Sequence, residues 1–108
     1  MEDRTYKIII SDAALQMLDS HICFLSKVSR DAATKMMNQI LSDIGSLSQN
    51  PERFPIYYNR FINETCYRKM LTSKRYLVIY EIDIETDTVH VDYIVDCRQD
   101  YDWLILEK

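Results

Sequence analysis

Apolar residues recur every three or four positions between Ala33 and Leu47, and this stripe constrains the fold more than any other feature of the sequence. Such spacing is typical of a helix with one broad buried face. Its members are Ala33, Met36, Met37, Ile40, Leu41, Ile44 and Leu47. Ser29 predicts an N-cap before it. We expect Asn50-Pro51 to end the helix, because proline disfavours helical geometry in the residue before it.

A second apolar stripe precedes the first one. Its members are Leu15, Leu18, Ile22 and Leu25. Ser11 predicts the N-cap of this helix, and the negative charge of Asp12 suits a helix N-terminus. The helix should end near Val28, which leaves a very short connection to the next one. The two helices should therefore form an antiparallel hairpin.

Strand patterns flank the helical hairpin. Residues 6–10 are rich in β-branched side chains and predict a short strand before it. Residues 66–71, 75–84 and 88–95 predict three strands after it, joined by tight connections at residues 72–74 and 85–87. In the last strand one set of alternate residues is mainly apolar, which predicts one covered face. The apolar set is Val89, Val91, Tyr93 and Val95, and it alternates with Thr88, His90, Asp92 and Ile94.

This order of elements predicts an α+β fold with the succession β-α-α-β-β-β in one domain spanning residues 1–108. Two amphipathic helices cannot bury their stripes on each other alone, so a small antiparallel sheet should form the opposing layer. The first strand should join that sheet at an edge or beside the last strand. Residues 99–107 fit either a short terminal helix or an extended tail.

Charge is unevenly distributed along the chain, whose formal net charge is −4. Cationic residues concentrate in one segment: Arg53, Arg60, Arg68, Lys69, Lys74 and Arg75. From Glu81 onward acidic residues dominate. A cationic segment attracts phosphates or acidic partners, yet an acidic protein binds nucleic acid poorly without specific contacts. An equally good interpretation is that these charges solvate exposed strand faces.

Several functional classes are excluded or disfavoured by composition. A single glycine argues against a backbone phosphate loop, and no Ser/His/Asp arrangement is visible. The three cysteines are scattered, which disfavours disulfides and structural zinc, and we expect no cofactor or metal. Apolar runs are too short for a membrane span, and the acidic N-terminus is unlike a signal peptide. We therefore expect a cytoplasmic protein.

The succession of elements, together with four short runs, resembles the RelE/ParE superfamily of toxins, which includes plasmid stabilisation proteins. The runs are YRKML at 67–71, YLVIYEI at 76–82, VHVDYIV at 89–95 and DCRQD at 96–100. The resemblance spans almost the whole chain. It rests on the order of the elements together with Arg98-Gln99-Asp100 after the last strand, since no single motif is decisive.

The resemblance implies the toxin of a type II toxin–antitoxin system, bound and neutralised by a cognate antitoxin, with which it could form a hetero-oligomer. Two mechanisms occur in the superfamily. RelE-like members enter the ribosomal A site and cut mRNA, whereas ParE-like members inhibit DNA gyrase without catalytic residues. A third hypothesis is that the protein binds its antitoxin but is no longer toxic.

The nuclease mechanism requires a base, an acid and groups that stabilise a charged phosphorane. The candidates in this chain are Arg68, Arg98 and Tyr101, with Arg75 as a further binding residue. We expect Arg68 and Arg98 to lie on one open, polar face of the sheet, where two guanidinium groups could grip a phosphate.

Two departures from the nucleolytic pattern favour the ParE-like mechanism by a small margin. Leu77 stands where the family often has arginine before the middle-strand core, and Asp96 or Asp100 stands where many nucleases place histidine. His90 could carry a proton, but a lone histidine in a strand is more often structural. The chain also carries few lysines and arginines for a protein that would bind ribosomal RNA, and this too favours the ParE-like mechanism.

Aromatic residues cluster between the helices and the strand meander, more densely than a plain loop requires. The candidates for antitoxin binding are Phe54, Tyr57, Tyr58 and Phe61. Such side chains could accept the apolar face of an antitoxin helix. The favoured alternative, by a small margin, is that they cover the open end of the core.

Overall fold

The structure is a computed structural model that describes residues 4–57 and 67–96. Its elements are β1 (Lys7–Ile10), α1 (Asp12–Ser26), α2 (Arg30–Gly45), two 3-10 turns (Ser46–Ser48 and Pro51–Arg53), β2 (Tyr67–Thr72), β3 (Tyr76–Asp83) and β4 (Thr88–Asp96). The predicted α+β class and the order of elements are confirmed. Residues 99–107, for which a helix or a tail was expected, lie outside the described ranges.

Both helices begin at the predicted serines. The Ser11 hydroxyl accepts a hydrogen bond from the Ala14 amide at 3.0 Å, and the Ser29 hydroxyl accepts one from the Ala32 amide at 3.1 Å. Each serine thus satisfies an amide that would otherwise lack a partner in the first helical turn. The connection between α1 and α2 is short, and the two helices pack on each other as expected.

The end of α2 differs from the prediction. The helix stops at Gly45, well before Pro51, and two 3-10 turns carry the chain onward. Pro51 does not end the helix but begins the second turn, a position where its missing amide hydrogen costs nothing. Asn50 before it adopts a left-handed backbone with φ of 53°.

The sheet has four strands in the order β1-β4-β3-β2. Strands β2, β3 and β4 form the predicted antiparallel meander. Strand β1 pairs in parallel with β4, with Lys7 opposite Thr88 and Ile10 opposite Val91, so the complete sheet is mixed. The first strand therefore lies at an edge and beside the last strand, as the sequence indicated.

The main core lies between the helical hairpin and one face of the sheet. It contains Tyr6, Ala14, Leu18, Ile40, Ile44, Leu47, Met70, Tyr76, Val78, Tyr80, Val89, Val91 and Ile94. The residues from the two helical stripes that reach this core have the spacing expected of a buried helix face. The hairpin and the sheet thus bury each other's apolar surfaces, which is the arrangement predicted from the sequence.

A β-bulge in β4 contradicts the predicted alternation of that strand. Ile79 pairs with Tyr93, but the next residue, Tyr80, pairs with Val91, which leaves Asp92 as the extra residue. An extra residue reverses the faces of everything beyond it, because side chains alternate with a period of two. The Ser11 hydroxyl donates a hydrogen bond to the Asp92 carbonyl at 3.0 Å, so the start of α1 is fastened to the bulge.

The bulge sends the two ends of β4 into different clusters. Val89 lies in the main core as expected, whereas Tyr93 and Val95 lie on the opposite face, where Ile79 and Tyr67 join them in a second buried cluster. Met17, Tyr57 and Leu77 pack around this cluster. The expectation of an open, polar sheet face is therefore wrong for this end of the sheet.

Candidate functional site

Arg68, the first predicted catalytic residue, faces the helices and binds the backbone. It pairs with Tyr80 across β2 and β3, and paired residues share a face of the sheet. Its Nη1 donates to the carbonyl oxygen of Phe54 at 2.6 Å and to that of Glu52 at 3.1 Å. Arg68 therefore does not lie on the face away from the helices, and its guanidinium supports the segment after α2.

Tyr80 holds the same segment from inside the core. Its side chain is fully buried, and its hydroxyl donates a hydrogen bond to the Pro51 carbonyl at 2.6 Å. Burial raises the pKa of Tyr80 to about 12, because the phenolate would be poorly solvated there. The hydroxyl consequently remains a hydrogen-bond donor at an alkaline pH at which an exposed tyrosine ionises.

Arg53 also binds backbone carbonyl groups in the segment after α2. Its Nη1 donates to the carbonyl oxygens of Gln49 and Asn50 at 2.6 and 3.1 Å, and its Nη2 donates to the Ser46 hydroxyl at 2.8 Å. The guanidinium also lies over the Phe54 ring, 4.5 Å from its centroid. A cation at the C-terminal end of helical turns is favourable because it compensates the free carbonyl groups.

The predicted aromatic residues lie partly inside the fold. Phe54 is half-buried against the main core, and Tyr57 is half-buried against the second cluster. The segment also runs beside the outer edge of β2: the Tyr57 amide donates to the Tyr67 carbonyl at 2.8 Å, and the Lys69 amide donates to the Pro55 carbonyl at 3.0 Å. Tyr58 and Phe61 lie outside the described residues.

Arg75 is engaged in an ion pair at the opposite end of the sheet. Its Nη2 lies 3.1 Å from Oδ2 of Asp96, and its guanidinium lies over the Tyr76 ring, 5.3 Å from the centroid. The remaining predicted residues of the nuclease site, Arg98 and Tyr101, lie outside the described ranges. In the structure Arg68 and Arg75 both bind groups of the protein. A nuclease site formed by Arg68, Arg98 and Tyr101 stays a prediction.

The two histidines have different surroundings. His90 is half-buried in a shallow depression with acidic neighbours that include Glu81 and Asp92. The His21 ring nitrogen Nε2 lies 3.0 Å from the Ile94 carbonyl, and the ring packs against Tyr76 at a centroid distance of 4.6 Å. His21 thus joins α1 to the edge of β4 and has a structural role. Within residues 4–57 and 67–96, no group of three acidic, cysteine or histidine side chains could hold a metal ion.

An apolar groove between the two helices was missed in the sequence. It has a volume of about 470 Å³ and is lined by Leu15, Gln16, Leu18, Asp19, Ile22, Met37 and Leu41. Leu15 and Leu41 remain 46% and 42% exposed, although both belong to the apolar stripes. The signal was present, since those stripes contain more large apolar residues than one sheet face can cover.

Neither described helix combines the length and the apolar character that crossing a bilayer demands. The helices are 15 and 16 residues long, whereas a membrane span takes about 20 apolar residues.

A family model and a solved structure are both similar to this chain. Residues 8–101 match the family model described as the ParE toxin of the type II toxin–antitoxin system parDE. A solved structure titled as the chromosomal ParDE toxin–antitoxin system from P. aeruginosa has a similar fold, with a TM-score of 0.66 and 12% sequence identity. The similarity covers 86% of this chain and 97% of that chain. No curated protein matches the chain significantly. Because the family model covers most of the sequence, the chain belongs to the ParE toxin family of type II toxin–antitoxin systems.

Proposed function

We propose that this toxin acts in the cytoplasm without catalysis, by binding and inhibiting DNA gyrase, and that a cognate antitoxin neutralises it. The observation that carries this proposal is the position of Arg68. A nuclease needs that guanidinium free for a phosphate, whereas here Nη1 donates hydrogen bonds to the backbone carbonyls of Glu52 and Phe54. A protein that inhibits by binding needs no such free group.

The energetic argument compares Arg68 in its two uses. Hydrogen bonds to charged groups contribute about 1.5–3 kcal/mol each, so turning Arg68 toward a phosphate would sacrifice a considerable stabilisation. The carbonyl groups of Glu52 and Phe54 would also lose their donor. Arg75 is similarly engaged with Asp96. Ribosome binding depends on cations that can replace counterions around RNA. Arg68 and Arg75 are less available for this role, because both already bind groups of the protein.

For the antitoxin we propose the groove between α1 and α2 as the main docking surface. Its occupant would be the apolar face of an antitoxin helix. An amphipathic helix that lies in an apolar groove can pack its apolar side chains against Leu15 and Leu41. The membership in a toxin–antitoxin family supplies the class of partner. The half-exposed side chains of Leu15 and Leu41 supply apolar surface that such a helix would remove from water.

Expression in a bacterial host tests the mechanism. The proposal predicts induction of the DNA-damage response and intact mRNA. Ribosome-dependent mRNA cleavage that disappears in Arg68→Ala or Arg98→Ala would instead establish the RelE-like nuclease. Normal growth of cells that accumulate the folded toxin without antitoxin would establish a binding module that is not toxic.

Co-purification tests the docking surface. The chain should form a stable complex with the product of the adjoining open reading frame. Leu15→Glu and Leu41→Glu should weaken that complex, because each would bury a charge in the interface. Phe24→Glu is the matched control, since Phe24 is an exposed apolar residue of α1, 66% exposed, that does not line the groove. Equal weakening by all three substitutions would contradict the proposed surface.

A further inference from the structure

We propose that Arg68 and Tyr80 are positioning residues that hold residues 51–57 in a fixed shape, and that this segment forms a second contact surface for the antitoxin. This inference rests on the proposed function, and it gives Arg68 a role other than phosphate binding. Residues 51–57 are called the strap below.

Three carbonyl groups of the strap bind side chains from the sheet. Pro51 accepts a hydrogen bond from Tyr80, while Glu52 and Phe54 accept hydrogen bonds from Arg68. Arg68 and Tyr80 are neighbours in the register of β2 and β3, so the two donors form one rigid anchor. The strap has only one 3-10 turn of its own and depends on this anchor for its shape.

The second half of the strap is fixed by backbone pairing. The Tyr57 amide binds the Tyr67 carbonyl, and the Lys69 amide binds the Pro55 carbonyl. Ile56 lies opposite Arg68 in this short antiparallel bridge. The anchor and the bridge therefore meet at Arg68, whose backbone lies opposite the strap and whose side chain binds the strap's first half.

The shape of the strap determines what a partner meets. Phe54 and Tyr57 are each half-buried, so one part of each ring packs on a core cluster and the other part remains accessible. Aromatic side chains held in this way suit an interface, because they offer a large contact area with little loss of entropy on binding. The strap's exposed charges, Glu52 and Arg53, directly precede Phe54, and the Arg53 guanidinium lies over the Phe54 ring.

Preorganisation is the physical reason why the anchor should affect affinity. Ordering a free backbone costs conformational entropy, and a partner that binds an unanchored strap must supply the corresponding free energy. When the anchor is intact, the strap is already ordered in the folded toxin, and the antitoxin does not have to order it. Loss of the anchor should therefore weaken antitoxin binding, because the antitoxin would then have to order the strap itself.

Hydrogen exchange and antitoxin affinity, measured on the full chain, test the inference. The probe is the purified product of the adjoining open reading frame. Tyr80→Phe removes one hydroxyl and retains the ring, and Arg68→Met removes the guanidinium and retains the apolar stem. Each should accelerate exchange of the Tyr57 and Lys69 amides about tenfold or more relative to β3 amides, and raise the Kd about tenfold. Arg68→Lys should recover part of both losses.

Tyr6→Phe is the matched control. Tyr6 is another buried core tyrosine, but no partner for its hydroxyl is found within residues 4–57 and 67–96. This variant should change neither measurement. If Arg68→Met fails to fold, Tyr80→Phe alone decides the matter.

Two results would overturn the inference: unchanged strap exchange in Tyr80→Phe, or faster strap exchange with an unchanged Kd. A wild-type chain that does not bind the probe would overturn the proposed function instead. The exchange rates would then still decide whether the anchor exists, so the two failures are distinguishable.

Discussion

Arg75 and Asp96 form an ion pair whose two members differ in their access to water. Nη2 of Arg75 lies 3.1 Å from Oδ2 of Asp96, and the Arg75 side chain is 34% exposed whereas the Asp96 side chain is only 7% exposed. The pair joins the β2–β3 turn to the end of β4. Loss of one member should therefore have a different effect from loss of the other.

Arg75→Met should reduce the free energy of unfolding by about 2–3 kcal/mol, because it removes a cation that compensates the buried carboxylate of Asp96. Asp96→Asn should cost about 1 kcal/mol, since the remaining guanidinium can turn toward water. Urea denaturation of the two variants measures the difference. Equal losses would show that the burial of Asp96 does not determine the effect.

The β2–β3 turn is expected to gain stability from a double substitution. Ser73 and Lys74 both adopt left-handed backbone conformations, with φ of 52° and 62°. Two such residues in succession are typical of a type I′ turn, which favours Asn-Gly. The double variant Ser73→Asn/Lys74→Gly should therefore raise the free energy of unfolding by about 1 kcal/mol, as measured by thermal denaturation.

A glycine at a position without this strain supplies the control for the turn. Glu85 lies in the β3–β4 turn and is not among the residues with positive φ. Glu85→Gly should lower the melting temperature or leave it unchanged, because glycine adds conformational freedom to the unfolded chain. A double variant that melts no higher than the wild type would refute the strain argument.

Stability should fall at alkaline pH through Tyr80. Because the folded-state pKa of Tyr80 is raised to about 12 from an ordinary value of 10, the folded state retains the proton longer than the unfolded state. This contribution is fully present below pH 10 and is lost progressively as the pH rises toward 12. Urea midpoints of wild type and Tyr80→Phe, measured between pH 9 and 11, give the difference.

The wild type should lose stability faster than Tyr80→Phe above pH 10, with a difference in slope of at most about 1.4 kcal/mol per pH unit. The comparison cancels the titration of the other tyrosines. Parallel pH profiles would mean that Tyr80 ionises as easily in the folded protein as in the unfolded one.

Local signals allowed the elements to be predicted. Ser11 and Ser29 each lie immediately before an apolar stripe, and the hydrogen bond that starts each helix spans only three residues. The same patterns predicted the meander and limited the first strand to an edge or a place beside the last strand, because a short first strand has few places in such a sheet.

Features that depend on pairing could not be predicted. The bulge at Asp92 adds one residue to β4, and a single extra residue does not interrupt the apolar alternation of Val91 and Tyr93. The sequence therefore assigned both residues to one face. The end of α2 was misplaced for a related reason, since Pro51 fits the start of a 3-10 turn as well as the stop of a helix.

The role of Arg68 depends on partners that are distant in the chain. Its hydrogen bonds reach Glu52 and Phe54, which lie 16 and 14 residues away in sequence, and no periodic pattern connects these positions. A cationic residue on a strand is equally compatible with binding a phosphate. Only the register with Tyr80 shows which face of the sheet Arg68 occupies.

Inhibition of purified gyrase tests the central claim most directly. Purified toxin should block ATP-dependent supercoiling of relaxed plasmid in proportion to the amount of gyrase present, and prior addition of the antitoxin should restore supercoiling. The same preparation should leave mRNA on programmed ribosomes uncut. Unimpaired supercoiling at a large excess of folded toxin, together with cleavage of ribosome-bound mRNA, would contradict the account.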